Sequence, residues 1–284
     1  MENTPKTILI TGSTSGIGKA AAIILAKQRH KVVLVSRNNE KLKSTQKEIK
    51  SVTKLPKIEV CQCDLSSQKS IRKSASILRK KYPVIDVLIT NAAIHNSRFE
   101  LTEDGIEKTF ATNHLGYFLL TGLLLPNIKN SPFGHIINVS SNGHRWTKID
   151  LEALVKPAKY NKYKAYMRSK LANIMFTIDL AERLNDTNIR VNSLHPGLVY
   201  TNIGMDKPDI IRKLTNVYKK IFAKTPEEGV ETIIYLTTSV KVKNLTGKYF
   251  VGKKITKTSL ESQNKEKREA LWTLSEKLVN FKFA

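Results

Sequence analysis

Apolar positions along the chain fall into short runs that alternate with longer stretches of three-to-four-residue spacing. The short runs lie at residues 7–11, 32–36, 58–63, 84–90, 135–140, 189–195 and 248–251. They have strand length, are rich in Val and Ile, and are apolar on both faces, as in a parallel sheet covered on both sides. Between them the spacing predicts helices over 16–28, 39–53, 68–80, 113–128, 164–184 and 226–239. A closing helix near 264–280 places Ala270, Leu271, Leu274 and Leu278 on one stripe. This alternation predicts an α/β fold, a doubly wound parallel sheet of about seven strands with helices on both faces. There is no internal repeat, long linker or low-complexity segment, so residues 1–284 read as one domain.

Composition changes this picture little. The chain is 40% hydrophobic, enough for a sizeable core, and its 48 Lys and Arg against 24 Asp and Glu give a net charge of +24. Such a charge attracts nucleic acid, anionic membrane or phosphorylated small molecules. The lysines are scattered, as in Lys41, Lys43, Lys47 and Lys50, with no arginine-rich arm, zinc finger or RNA motif. They read as solvated basic faces, and no nucleic-acid partner is expected. Cys61 and Cys63 point to the same side of one strand, where a disulfide between them is disfavoured, and no Cys or His follows at zinc spacing. No metal site is expected. The longest apolar run, 115–125, falls short of the roughly 18–20 residues of a membrane span. The first strand begins at Thr7, which leaves little room for a leader, and the expected setting is cytoplasmic or peripheral to an intracellular membrane.

Candidate chemistry begins at the first turn. A strand at 7–11 runs into Gly12-Ser13-Thr14-Ser15-Gly16-Ile17-Gly18 and an alanine-rich helix. Strand, glycine turn and open helix N-terminus together suit a dinucleotide pyrophosphate, which makes the sheet a Rossmann-type one. Three Tyr-x-x-x-Lys patterns follow, at Tyr160/Lys164, Tyr166/Lys170 and Tyr249/Lys253. Spacing of four brings two side chains together on a helix but parts them by about 13 Å in a strand, which excludes the last pair. Tyr160 precedes the helix, so Tyr166 and Lys170 are the candidate pair. A tyrosine with a reference pKa near 10 needs a neighbouring cation to exchange protons near neutrality, and Lys170 is that cation. Ser141, just past the strand at 135–140, can hold the substrate oxygen, whereas Ser140 is expected to turn toward the backbone.

With these residues in place the chain resembles a classical short-chain dehydrogenase/reductase, nearest the retinol dehydrogenase-like branch. The resemblance places the glycine motif on Gly12 through Gly18, an adenine-contacting acid on Asp64 with Leu65, and an Asn-Ala-Gly turn on Asn91-Ala92-Ala93, where Ala93 replaces the usual glycine. It implies catalytic roles for Asn113, Ser141, Tyr166 and Lys170, with Asn113 positioning a water toward Lys170. Pro196 and Gly197 resemble the segment over the nicotinamide, with Val199 and Thr201 near its carboxamide. His114 is expected to position Asn113, and His195 to support the turn before Pro196.

At the end of the second strand an acid would bind ribose hydroxyls, and an arginine a 2′-phosphate. Arg37 stands there, so NADP(H) is expected over NAD(H). His95 and His144 follow the carboxyl edge of the sheet and, with Met205, are candidate pocket residues. Residues 202–225 resemble a lid, and within them 209–222 form a basic amphipathic pattern that also suits a peripheral membrane contact. The expected activity is NADP(H)-dependent interconversion of an alcohol and a carbonyl on a hydrophobic retinoid, steroid, lipid or xenobiotic compound. The alternative is a non-catalytic NADP(H)-binding or redox-sensing protein. The resemblance leaves open a homodimer paired through the helices at 113–128 and 164–184, as in many relatives, or a monomeric or membrane-bound form, as in others.

Overall fold

A computed structural model describes residues 4–54, 58–197 and 226–283. Among the described residues eight strands form one sheet in the order β3-β2-β1-β4-β5-β6-β7-β8. They are β1 Thr7–Thr11, β2 Lys31–Ser36, β3 Ile58–Gln62, β4 Val87–Thr90, β5 His135–Val139, β6 Arg190–His195, β7 Tyr249–Val251 and β8 Lys254–Ile255. The first seven run parallel and β8 pairs antiparallel to β7. The expectation of about seven strands thus gains a two-residue eighth. It follows a tight turn at Gly252 and Lys253 and is too short to carry any alternation of its own.

The strands alternate their side chains between two buried faces. Ile8, Ile10, Val32 and Leu34 pack under α1 (Gly16–Lys27), α2 (Asn39–Thr53) and α6 (Pro226–Thr238). Leu9, Val33, Val35 and Leu88 pack on the other face with α3 (Gln68–Lys81), α4 (Gly116–Lys129), α5 (Lys162–Arg183) and α7 (Lys265–Val279). Burial on both faces is why the strands read as continuous apolar runs. Cys61 and Cys63 are free thiols on the second face, and burial raises both, Cys63 to about 12.

Three helices near the site owe their ends to side chains. Asn38 caps α2 by accepting from the Lys41 amide, and Asn161 starts α5 by accepting from the amides of Tyr163 and Lys164. Asn264 caps α7 by accepting from Lys267 N. That last helix is pinned to α5 by a buried ion pair between Arg268 and Asp179, and by Trp272 packed on Phe118 and Phe176. Phe281 lies so close to Gly122 of α4 that a methyl group there would meet its ring.

One departure from the expected helix at 113–128 matters for the site. The helix starts earlier, with a regular turn at Lys108–Phe110, passes through a π-helical turn at Ala111–Leu115 and becomes regular again from Gly116. Such a turn widens the helix by one residue and frees backbone groups, a device often found at functional sites.

Candidate active site

The chain goes out from β1 to β2 and β3 and then returns to β4 on the other side of β1. At this switch point the carboxyl ends of β1 and β4 diverge and leave a crevice, where ligands bind in such sheets. The glycine turn lines it. Gly12 and Gly16 have φ of +65° and +51°, a region open to glycine and costly for other residues. At Gly18 an added methyl would sit 2.4 Å from the Gly12 carbonyl oxygen and 2.5 Å from Asn91 Nδ2, so only a hydrogen fits. Asn91 closes the turn by donating to the carbonyls of Thr11 (2.9 Å) and Gly12 (3.3 Å). Thr11 Oγ1 accepts from the amides of Asn91 (2.8 Å) and Ala92 (3.1 Å), a bracing role that no motif spacing announced.

A dinucleotide fits this cradle. Ser15 at the start of α1 makes no side-chain cap, and the first turn of α1 carries no acid, so its amides can receive a pyrophosphate. Ser13 Oγ donates to Val35 O (3.4 Å), and the hydroxyls of Thr14 and Ser36 pair at 3.3 Å, which ties the turn to β2. Arg37 is exposed just past that strand. Asp64 turns Oδ1 back to the amide and hydroxyl of Ser66, and Leu65 is buried beneath Gly116.

Across the crevice, α5 brings Tyr166 and Lys170 onto one face. Ser141 stands beside the Tyr166 phenol and favours its ionised form, and Lys170 Nζ lies 5.7 Å from the ring centroid of Tyr166 and equally far from that of Tyr117. Burial pushes the Tyr166 phenol up to about 12 against the opposing pull of Ser141. Burial also lowers the Lys170 ammonium to about 7. Its Nζ donates to Val139 O at 2.9 Å. Ser140 turns inward and donates to Lys170 O (2.7 Å), which leaves Ser141 at the cleft. Tyr117 underlies the pair and donates to Ala92 O (2.9 Å), joining the catalytic side to the β4 turn.

Asn113 sits in the π-helical turn and is fully buried. Its Oδ1 accepts from Ile94 N (2.8 Å), and its Nδ2 donates to Ile94 O (2.9 Å) and Ser169 Oγ (3.0 Å). The side chain thus ties the turn to α5 and to the loop after β4.

The other Tyr-x-x-x-Lys patterns are engaged elsewhere. Tyr160 precedes α5 and donates to Asn96 O (2.8 Å). Tyr249 lies in β7 and donates to Asn142 Oδ1 (2.9 Å), with Lys253 beyond the strand.

Of the candidate pocket residues, His95 lies beside the pair, its ring 5.5 Å from that of Tyr166 and 5.3 Å from that of Tyr163. His144 requires a correction. It is 0% exposed, and both ring nitrogens are taken: Nε2 accepts from Ser259 N (3.2 Å) and Nδ1 donates to Ser141 O (2.8 Å). It braces the Ser141 turn from behind and does not line the cleft. Its partner Ser259 stands 115 residues away, beyond the reach of any local pattern. His195 ends β6, where burial lowers its pKa to about 4, and Pro196 and Gly197 follow it toward the crevice. Val199, Thr201, Met205 and the stretches 202–225 and 209–222 lie outside the described residues. Among the described residues no helix is long and apolar enough to cross a membrane.

Comparison with known proteins agrees with this geometry. The sequence profile described as short chain dehydrogenase matches residues 6–210. Human Retinol dehydrogenase 14 is 37% identical over 289 aligned positions, covering 96% of this chain and 86% of its own length. Mouse Retinol dehydrogenase 13 is also 37% identical, covering 98% and 85%. A solved structure from Mycobacterium paratuberculosis superposes with a TM-score of 0.79 at 29% identity, covering 98% of this chain and 95% of its own. The chain therefore belongs to the short-chain dehydrogenase family of nicotinamide-dependent alcohol and carbonyl oxidoreductases, on its retinol dehydrogenase-like branch.

Proposed function

We propose that this protein is an NADP(H)-dependent oxidoreductase that interconverts an alcohol and a carbonyl on a hydrophobic substrate of the retinoid, steroid, or lipid or xenobiotic aldehyde and ketone class. The observation that carries this reading is the convergence of Tyr166, its neighbour Ser141 and the buried Lys170 one helical turn on, with Lys170 Nζ 5.7 Å from the Tyr166 ring. Bound in that cradle, the nicotinamide would supply or accept the hydride. The chain's own residues manage the oxygen and its proton. Ser141 holds the substrate oxygen against Tyr166, whose hydroxyl gives its proton to a forming alcohol and whose phenolate takes the proton from an alcohol being oxidised. Lys170 in its ammonium form favours the phenolate that remains, and with its pKa lowered to about 7 it can also pass a proton on near neutrality. Arg37 supports NADP(H) over NAD(H), because an exposed guanidinium at the end of β2 can fork onto a 2′-phosphate. The branch names, retinol dehydrogenases 13 and 14, support a hydrophobic alcohol or aldehyde as substrate.

The test is an NADPH- and NADH-linked screen of retinal, steroid ketones and aliphatic aldehydes with the wild type and Tyr166→Phe. The wild type should turn over at least one class with NADPH. Tyr166→Phe should bind the nucleotide normally and lose at least about a hundredfold in kcat, the scale of one general acid. Undiminished turnover by Tyr166→Phe would refute the role of Tyr166. Nucleotide binding without turnover of any compound would favour a redox-sensing protein instead.

A further inference from the structure

Behind the candidate catalytic pair runs a fully buried polar chain that links three elements distant in sequence. Asn173, on α5 one turn past Lys170, donates from Nδ2 to the backbone carbonyl of Asn113 at 2.9 Å. Its Oδ1 faces Nδ1 of His114 at 3.3 Å, and Nε2 of His114 lies 3.0 Å from Ser275 Oγ on α7. The four residues are at most 1% exposed. The Asn113 carbonyl can only accept, so the Asn173 amide cannot be flipped, and its Oδ1 must meet a hydrogen. That hydrogen is on Nδ1 of His114. Burial opposes a second proton on the ring, lowering its pKa to about 4, so Nε2 carries the lone pair. The Ser275 hydroxyl proton is then contested between Nε2 and Leu271 O, 2.7 Å away.

We propose that His114 is a positioning residue of the candidate site, which clamps the π-helical turn carrying Asn113 to the helix carrying Tyr166 and Lys170 by holding the Asn173 amide in its donating orientation. The proposal rests on the catalytic reading of Tyr166 and Lys170 given above. The ring has a packing role too, stacked on Phe110 at 5.2 Å and edge-on to Phe176. The polar and packing roles make opposite forecasts for two substitutions. In His114→Asn the shorter amide reaches as far as Nδ1, so it still donates to Asn173 but leaves the larger gap among the aromatic rings. In His114→Gln the longer amide reaches Ser275, fills more space, and leaves Asn173 Oδ1 without its donor.

The two variants should be compared by kcat and KM in the NADPH-linked assay, by thermal stability, and by hydrogen exchange of the Asn173 side-chain amide in 15N-labelled protein. Loss of one buried hydrogen bond predicts a fall of roughly tenfold or more in kcat for His114→Gln at unchanged nucleotide KM, with His114→Asn within about threefold of wild type. Asn173 should stay protected in His114→Asn and exchange freely in His114→Gln. The proposal is overturned if His114→Gln keeps kcat and protection as well as or better than His114→Asn. Should the wild type turn over no compound, the proposed function fails by itself, and the exchange pattern of Asn173 still decides the clamp.

Discussion

Around Gly12 and Gly18 the structure is held by side chains that brace main-chain groups and by the absence of side chains at the glycines, whereas around Tyr166 it is held by polar side chains taken out of water. The turn offers backbone amides to a ligand, and Asn91 and Thr11 brace it through carbonyls and amides. The side of Tyr166 buries Lys170, Asn113, Asn138, Thr177 and Asn173, each 2% exposed or less. Asn138 alone links the Thr90 and Thr177 hydroxyls at 2.6 and 2.9 Å. Backbone recognition is inexpensive in stability because its groups are neutral and satisfied by hydrogen bonds. A buried ammonium is not, since desolvation penalises its charge at every pH where it remains protonated.

The contrast breaks most visibly at the turn. Gly18→Val would drive a branched side chain into the Gly12 carbonyl and Asn91, and NADPH affinity should fall by at least about a hundredfold, the ~3 kcal/mol scale of an overpacked contact. Isothermal titration reads it, and affinity within tenfold of wild type would mean that the turn tolerates displacement. On the Tyr166 side a change should show in stability. Lys170→Met should abolish turnover yet raise the melting temperature at pH 7, because an apolar chain of similar length replaces a desolvated ammonium.

The pH dependence gives the sign independently. The folded lysine releases its proton near 7 and the unfolded one near 10.5, so between these values the unfolded chain binds more protons and stability rises with pH. The penalty is complete below pH 7 and is relieved by about 1.4 kcal/mol per pH unit above it. Buried thiols and phenols pushed up from 9 and 10 act in the other direction at higher pH, so the slope is best measured between 7 and 8.5. Denaturant titrations of Lys170→Met should lack it. A slope shared by wild type and variant would assign the effect elsewhere.

The smallest effect sharpens the boundary between the two regions. Arg37→Ser should weaken NADPH about tenfold, the value of one charge-assisted contact at an exposed site, and leave NADH unchanged. Equal loss for both nucleotides would remove Arg37 from cofactor choice.

The same division governs what could be read from the chain. The strands, the glycine turn and the Tyr166/Lys170 spacing are local patterns with periods of two, four or a fixed motif length, and each emerges in place. The helix at 113–128 was legible as apolar periodicity, but the π-helical turn at 111–115 was not, because it is set by where Asn113 finds Ile94 and Ser169. His144 was misassigned for a related reason. A histidine beside the carboxyl edge of a sheet looks like a pocket residue until Ser259 is seen to occupy it. Tyr117, Asn173 and Ser275 carry no motif at all, and only tertiary contact reveals them. The short segments at Leu151–Val155 and Leu260–Gln263 are too brief for periodicity to register.

The contact between His114 and Ser275 spans 161 residues. On a ribosome adding about 5–20 residues per second, roughly ten to thirty seconds separate the emergence of the two partners. Throughout that interval the glycine turn already has its partners Val35, Ser36 and Asn91 out of the ribosome, while the histidine waits with an open nitrogen. A nascent chain of this protein should therefore assemble the glycine turn well before the His114 clamp, which waits for the helix that carries Ser275.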